Sequence, residues 1–240
     1  MVAYARSEVL RTFRNTRFLV FSLVFPLVLF VIIAGPNRHE DILGVPIPLY
    51  FMGGMTAFGS MMAVVSSGGR IAAERQIGWN RQLRLTPLRP GTYLATKVLC
   101  GYLLAGLTIV LVGAVGIALG VRLSVGEWAA TIGLVLVGLA PFAAFGVAAG
   151  HLVSVDSLGP LMGGVTSILA LLGGAWGPIA SRGALLTVSK ATPSYWLTAA
   201  SRTGLRGAGW PLQGWLVVAV WTVAMTALAT WAYRRDTGRI

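Results

Sequence analysis

Six long apolar runs divide this sequence, and they restrict it to one class of fold. The runs cover residues 18–35, 47–69, 93–120, 128–150, 157–180 and 211–233. A helix of about 20 apolar residues crosses a hydrocarbon core about 30 Å thick, and each run is close to that length or longer. We therefore predict an all-α polytopic membrane protein with six transmembrane helices, organised as a single domain over residues 1–240.

The distribution of charge agrees with a membrane location. Only 11% of the residues are charged, whereas a soluble domain carries about a quarter. The net charge of +12 would suggest nucleic acid binding in a soluble chain. Here the basic residues gather at the ends of apolar runs, where membrane insertion favours them, so we expect no nucleic acid partner.

Metal and disulfide chemistry are not indicated by the sequence. The single cysteine, Cys100, lies within an apolar run, and His39 and His151 are far apart along the chain. One thiol can form neither a disulfide framework nor a thiolate metal cluster. We predict no metal site, no cofactor and no catalytic residue in this chain.

Residues 1–17 have the pattern of a helix that lies on the membrane surface. Val2, Val9 and Phe13 share one face at helical spacing, and Arg11, Arg14 and Arg17 recur beside it. A basic amphipathic helix of this kind binds at an anionic lipid interface. A merely solvated basic tail is the alternative interpretation.

The lysine and arginine residues predict the orientation. With the N-terminus inside, 13 of the 19 fall on the inner side. They are Arg6, Arg11, Arg14, Arg17, Arg70, Arg75, Arg81, Arg84, Arg89, Lys97, Arg234, Arg235 and Arg239. Because cytoplasmic loops carry the excess of positive charge, we expect a bacterial inner-membrane protein with both termini in the cytoplasm.

The outer loop at residues 181–210 is expected to contain a short helix. Thr192 can cap its start, Pro193 suits the first helical position, and Gly204 can end it. Tyr195 and Trp196 predict that this helix lies at the outer membrane interface.

The spans contain almost no ionisable side chains, and this limits the mechanism. Ion-coupled transporters need acids or histidines at depth, and we expect Lys97 to extend its ammonium group from the end of its span into water. The sequence also has no GxxxxGK[ST] phosphate loop. The chain is therefore predicted not to be an enzyme, and to be passive, structural or driven by a partner.

The stretch GGRIAAERQIGWNRQLRLTPLRPGTY, residues 68–93, is where we expect that partner to act. Gly78 allows a turn after the second span, Asn80 can cap a short helix, and Thr86-Pro87 disfavours its continuation. That helix would present Arg81, Leu83, Arg84 and Leu85 to the cytoplasm. An ordinary basic inner loop is the alternative, and spacing alone does not separate the two.

This stretch resembles the segment between the second and third helices of ABC-2 type transporter permeases. The likeness rests on Glu74-Arg75, Gly78, residues 86–90 (TPLRP), residues 93–94 (YL) and Lys97. The resemblance extends over the whole chain, since it also includes the N-terminal helix, the six spans and residues 192–196 (TPSYW). Within the family, the sequence is most similar to the daunorubicin-resistance-like membrane subunits of bacterial drug and antibiotic exporters.

The resemblance implies an export permease that works as a homodimer with two separate ATP-binding subunits, which hold the ATP and magnesium. Residues 70–92 would be the coupling loop to the ATPase. Glu74 and Arg75 would act as hinge and ion-pair residues, and Arg81, Leu83, Arg84, Leu85 and Pro87 would belong to the coupling segment. Gln76 and Trp79 depart from the family pattern.

A substrate path is predicted along the second span. Phe51, Met55, Phe58 and Met62 fall on one helical face, and thioethers and rings suit varied apolar molecules. Plain packing or lipid contact is the alternative. Small residues spaced by four allow close helix packing, within the chain or between subunits. They are Gly116/Gly120, Gly146/Gly150, Gly159/Gly163 and Gly173/Gly177.

The sequence thus favours an ATP-driven exporter of lipophilic or amphiphilic compounds. A lipid or polysaccharide exporter of the same superfamily is the nearest alternative. A membrane scaffold or sensor-associated protein without a transported substrate is an alternative from a different class.

Overall fold

The computed structural model describes residues 2–14, 23–78, 90–179, 182–203 and 209–237. Within these residues the regular structure is helical except for one short hairpin, which agrees with the predicted all-α class. The elements are α1 (Val2–Arg14), α2 (Phe25–Ala34), β1 (Asp41–Ile42), β2 (Val45–Pro46), α3 (Ile47–Gln76), α4 (Pro90–Ala118), α5 (Val125–Gly138), α6 (Ala140–Leu152), α7 (Val155–Leu172), α8 (Ala184–Lys190), α9 (Pro193–Ala200) and α10 (Leu212–Thr237).

Five helical stretches are long and apolar enough to cross a membrane. They are Ile47–Gln76, Gly91–Ala118, Val125–Leu152, Val155–Leu172 and Leu212–Asp236. They correspond to the second through sixth predicted spans. Helix α2 covers the second half of the first predicted span, and residues 18–22 lie outside the described part of the chain. The count of six spans therefore remains a prediction.

Helix α3 is the central element of the bundle. It packs against α2, α4, α6 and α7. In its most apolar window 83% of the residues are buried, compared with 17% for the corresponding windows of α7 and α10. Met61 of α3, Leu104 of α4 and Leu139 at the α5–α6 junction are all buried in the largest apolar cluster. A displacement of α3 must therefore be accommodated by most of the bundle.

Glycines set the close approach of α3 and α6. A Cβ atom on Gly68 would lie 2.3 Å from the carbonyl carbon of Gly146, and one on Gly150 would lie 2.4 Å from the Gly68 oxygen. The predicted Gly146/Gly150 pair thus packs within the chain, as small residues do between membrane helices. Gly159 and Gly163 of α7 have no heavy atom within 4 Å of an added Cβ.

The chain after α7 differs from the predicted continuation of the fifth span to residue 180. Helix α7 ends at Leu172, and Gly174 turns the chain with φ of 71°. This turn lies against α3, because a Cβ atom on Gly54 would be only 2.0 Å from the Ala175 oxygen. Glycine permits both the positive φ and the close approach.

The short helix predicted in the outer loop exists and packs into the bundle, and its location at the outer membrane interface remains a prediction. Helix α9 begins at Pro193, as expected, but the Thr192 hydroxyl before it makes no capping hydrogen bond and donates to the Ser189 carbonyl at 2.6 Å. Its Trp196, Leu197 and Ala200 are buried in the main apolar cluster. Burial of the indole is tolerated because Trp196 Nε1 donates to the Lys190 carbonyl at 2.8 Å. A second short helix, α8, precedes it.

Candidate coupling site

Glu74 and Arg75, near the end of α3, point to different neighbours. Consecutive residues on a helix differ by about 100° in direction, so the carboxylate and the guanidinium cannot lie on the same side. Glu74 is buried, whereas the Arg75 side chain is partly exposed. The two side chains therefore connect the end of the central helix to two separate parts of the bundle.

Glu74 joins α3 to α4 and α1. Its carboxylate accepts a hydrogen bond of 2.6 Å from the Tyr93 hydroxyl. Its other oxygen pairs with the Lys97 ammonium, which also pairs with Glu8 of α1. Arg11 lies 3.9 Å from the Glu74 carboxylate on the exposed side. We call the group formed by Glu8, Glu74 and Lys97 the ionic cluster.

Lys97 does not extend into water, so that expectation is wrong. Its side chain is 1% exposed and lies between the carboxylates of Glu8 and Glu74. Two buried carboxylates compensate the desolvation of the ammonium group, which would otherwise be costly. The expectation that the spans lack buried ionisable groups also needs correction, although these groups lie at one end of the bundle.

Arg75 joins α3 to α6 and α10. Its guanidinium lies 2.8 Å from the Asp236 carboxylate and donates to the Gly150 carbonyl at 3.2 Å. The second Asp236 oxygen is 3.0 Å from His151 Nδ1. The His151 ring packs edge-to-face on Tyr233, with 5.4 Å between ring centroids. The end of the last helix is thereby connected to the end of the central one.

Helix α1 contacts the bundle through a polar face rather than its apolar one. Glu8 and Thr12 are buried, and the Thr12 hydroxyl accepts a hydrogen bond from Arg70 of α3. Burial raises the pKa of the Tyr4 hydroxyl, and the Glu8 and Glu74 carboxylates raise it further. Phe13 remains exposed. The predicted helix is confirmed over residues 2–14, and its exposed apolar side chains are consistent with the expected membrane contact.

These contacts bring the N-terminal helix, both ends of the loop at residues 79–89 and the C-terminal helix to one end of the bundle. The common side of both termini agrees with the predicted topology. Which side of the membrane it faces remains a prediction. The predicted coupling residues lie outside the described part of the chain; they are Arg81, Leu83, Arg84, Leu85 and Pro87.

The four residues of the predicted substrate path lie within the bundle. Phe51, Met55 and Phe58 are buried, and Met62 is partly buried against the main apolar cluster. Phe58 packs edge-to-face on Trp176 with 5.4 Å between ring centroids. These contacts are compatible with plain packing, and a path along this face remains a prediction.

At the opposite end of the bundle, the loop after α9 contacts α3 through side chains that the sequence analysis did not identify. Arg202, within the loop predicted on the outer side, stacks on the Tyr50 ring with 3.7 Å to the ring centroid. It also donates to the Gly174 carbonyl at 2.7 Å, and Ser201 donates to the Gly53 carbonyl at 2.6 Å. The adjacent glycines 53 and 54 in the second span were the available signal, since such pairs permit close backbone approach.

Within the described residues, no group of three or more His, Cys, Asp or Glu side chains could hold a metal ion. The ionic cluster and the Arg75 contacts therefore act through charge pairing and hydrogen bonding. They can transmit displacement between helices, because each contact joins side chains from different elements.

The fold defines a multi-pass helical membrane protein, and the ionic cluster and the Arg75 contacts lie at one end of its bundle. Residues 1–206 match the family model described as ABC-2 type transporter. The chain belongs to this family and is a membrane-embedded permease subunit without catalytic activity of its own. Membership implies that it works with an ATP-binding subunit.

A curated relative is also named as a transport permease. The chain is 24% identical over 239 residues to the protein named "Putative transport permease YvfS" of Bacillus subtilis (strain 168). The alignment covers 96% of this chain and 95% of that protein. The two proteins are therefore similar in length.

Proposed function

We propose that this permease exports lipophilic or amphiphilic compounds, of the drug or antibiotic type, out of the bacterial cell. In this proposal two copies of the chain form the membrane part. Two ATP-binding subunits dock on the loops at residues 70–92 and supply the energy. The proposal extends the established permease assignment by naming the substrate class, the direction of transport and the docking segment.

The observation that carries the proposal is the position of Glu74 and Arg75. They lie at the end of the most buried helix, α3, and directly precede the proposed docking loop. Glu74 connects α3 to α1 and α4, and Arg75 connects it to α6 and α10. A force applied to the loop therefore acts on five helices at once. This arrangement suits a permease whose conformational change is driven by a subunit outside the membrane.

The proposed substrate class is supported by the lack of charge in the interior of the described spans. Lys97 and Arg70 are the charged residues that lie deepest in the described spans, and each is within two helical turns of a span end. A strongly charged substrate would find no compensating side chains further in, and its desolvation would be costly. An apolar or amphiphilic molecule entering from the membrane avoids that cost.

Docking on the loop is tested by charge substitutions. Leu83→Glu or Arg84→Glu is expected to abolish the stimulation of ATP hydrolysis by the permease, because each places an acid in the proposed contact surface. Arg122→Glu, before α5 and outside the loop, is the matched control. The measurement is ATPase activity of the subunit reconstituted with each folded permease variant. Unchanged stimulation in the loop variants would refute the docking assignment.

The substrate class is tested in cells. Deletion of the gene is expected to increase sensitivity to amphiphilic antibiotics in a growth-inhibition panel, and the intact gene should restore resistance. If the deletion left antibiotic sensitivity unchanged but altered the lipid or polysaccharide of the cell envelope, that result would contradict drug export. That outcome would favour the alternative exporter of the same superfamily.

A further inference from the structure

A basic cavity lies between α1 and the end of α3, beside the ionic cluster. Its volume is about 540 Å³, and it is open on one side. It is lined by Arg11, Arg14, Arg70, Ala73, Glu74, Gln76 and Ile77. Arginine side chains from two helices thus line the same cavity.

The charges around the cavity do not balance. The ionic cluster contributes the carboxylates of Glu8 and Glu74 and the ammonium of Lys97, which together carry one negative charge. Arg11 and Arg14 carry two positive charges, so these groups together have one positive charge in excess. Guanidinium groups match phosphate oxygens in geometry and charge. An anion that carries a phosphate group would restore the balance.

The surroundings of the cavity favour a lipid as the source of that phosphate. Ile77 lines the cavity and is 65% exposed, and α1 exposes Leu10 and Phe13 next to Arg11 and Arg14. Exposed apolar side chains beside arginines at the ends of spans are typical of the headgroup and upper acyl region of a bilayer. A soluble phosphate ester would leave these apolar groups without a partner.

We propose that this cavity binds the headgroup of an anionic phospholipid, with Arg11 and Arg14 beside the phosphate and Ile77 against the upper acyl chain. The lipid would join α1 to α3 on the side of α1 that the ionic cluster leaves open. The proposal does not depend on the identity of the exported substrate, and its test must separate the lipid from the ATPase because residues 70–77 also belong to the proposed docking segment.

The test uses the purified full-length permease without its ATPase, in nanodiscs that contain phosphatidylcholine and a minor fraction of spin-labelled phosphatidylglycerol. The fraction of motionally restricted label is measured for the unaltered protein, for R11Q/R14Q and for R234Q/R235Q. The control pair removes the same charge from the end of α10, which belongs to the same end of the bundle.

The R11Q/R14Q variant is expected to weaken retention of the labelled lipid by about fivefold for each arginine removed, whereas the control pair should change it little. Arg70 is left intact because it also contacts Thr12. Equal losses in both pairs would overturn the proposal, because they would show diffuse surface attraction. Displacement of the label by millimolar glycerol phosphate would also overturn it, because a soluble phosphate would then suffice.

A second measurement separates the lipid from an acidic protein surface. If R11Q/R14Q retained the labelled lipid normally but lost co-purification with the ATP-binding subunit, the cavity would be a protein contact and the proposal would be wrong. If R11Q/R14Q lost the labelled lipid but still stimulated ATP hydrolysis as the unaltered permease does, the lipid site would stand independently of the docking assignment.

Discussion

Lys97 differs from what its position in the sequence suggests. A lysine within two turns of a span end usually extends to the interface, but here the ammonium group is enclosed by Glu8 and Glu74. Glu8 precedes Lys97 by 89 residues, and no local pattern relates them. The pairing depends on the docking of α1, which is a property of the tertiary structure.

Replacement of Lys97 by methionine is expected to lower the free energy of unfolding by about 3–5 kcal/mol, because it leaves two carboxylates buried without their shared cation. Lys190→Met is the control, since Lys190 is the other lysine and its side chain is partly exposed. The measurement is thermal or denaturant unfolding in detergent.

A second substitution checks that the loss arises from the carboxylates. Addition of Glu8→Gln to Lys97→Met should recover part of the stability, because it removes one uncompensated charge. Equal stability of the Lys97→Met and Lys190→Met proteins would contradict the account of the ionic cluster.

At the scale of the helices, the α3–α6 contact is determined by backbone proximity. A Cβ atom on Gly146 would lie 2.5 Å from the Val65 carbonyl oxygen. That oxygen belongs to the α3 backbone, so it cannot move aside as a flexible side chain could. The two helices would have to separate to admit even a methyl group.

Gly146→Ala is therefore expected to destabilise the protein by about 1–3 kcal/mol through overpacking. Gly133→Ala on α5 is the matched control, because no heavy atom lies within 4 Å of a Cβ built there. The control should be neutral or slightly stabilising, since alanine favours helix over glycine. Similar melting temperatures for both variants would contradict the close approach of α3 and α6 at Gly146.

The elements differ in how far the sequence could predict them. Hydropathy located five spans, because burial in lipid requires continuous apolar runs. Hydropathy could not distinguish a helix that crosses the membrane from one that returns into the bundle, and so the burial of α9 was missed. Pro193 located the start of that helix correctly, because the preference of proline for the first helical position is local.

At the scale of the whole molecule, the two ends of α3 are held differently. At one end Glu74 and Arg75 contact four other helices through ion pairs and a hydrogen bond to a backbone carbonyl. At the other end Arg202 and the turn at Gly174 pack on Tyr50, Gly53 and Gly54 through carbonyl and ring contacts. The central helix therefore connects the proposed ATPase contact with the opposite end of the bundle. The candidate site could be predicted only in part from the sequence, because the Glu74-Arg75 doublet is a local motif but its partners are distant in the chain.

The central claim is that this permease moves its substrate only when an ATP-binding subunit acts on it. The most direct measurement is efflux of a fluorescent amphiphile from proteoliposomes that contain the permease with or without that subunit. We expect efflux with ATP when both are present, and none from the permease alone under an imposed proton or sodium gradient. Gradient-driven efflux by the permease without its partner would contradict the claim.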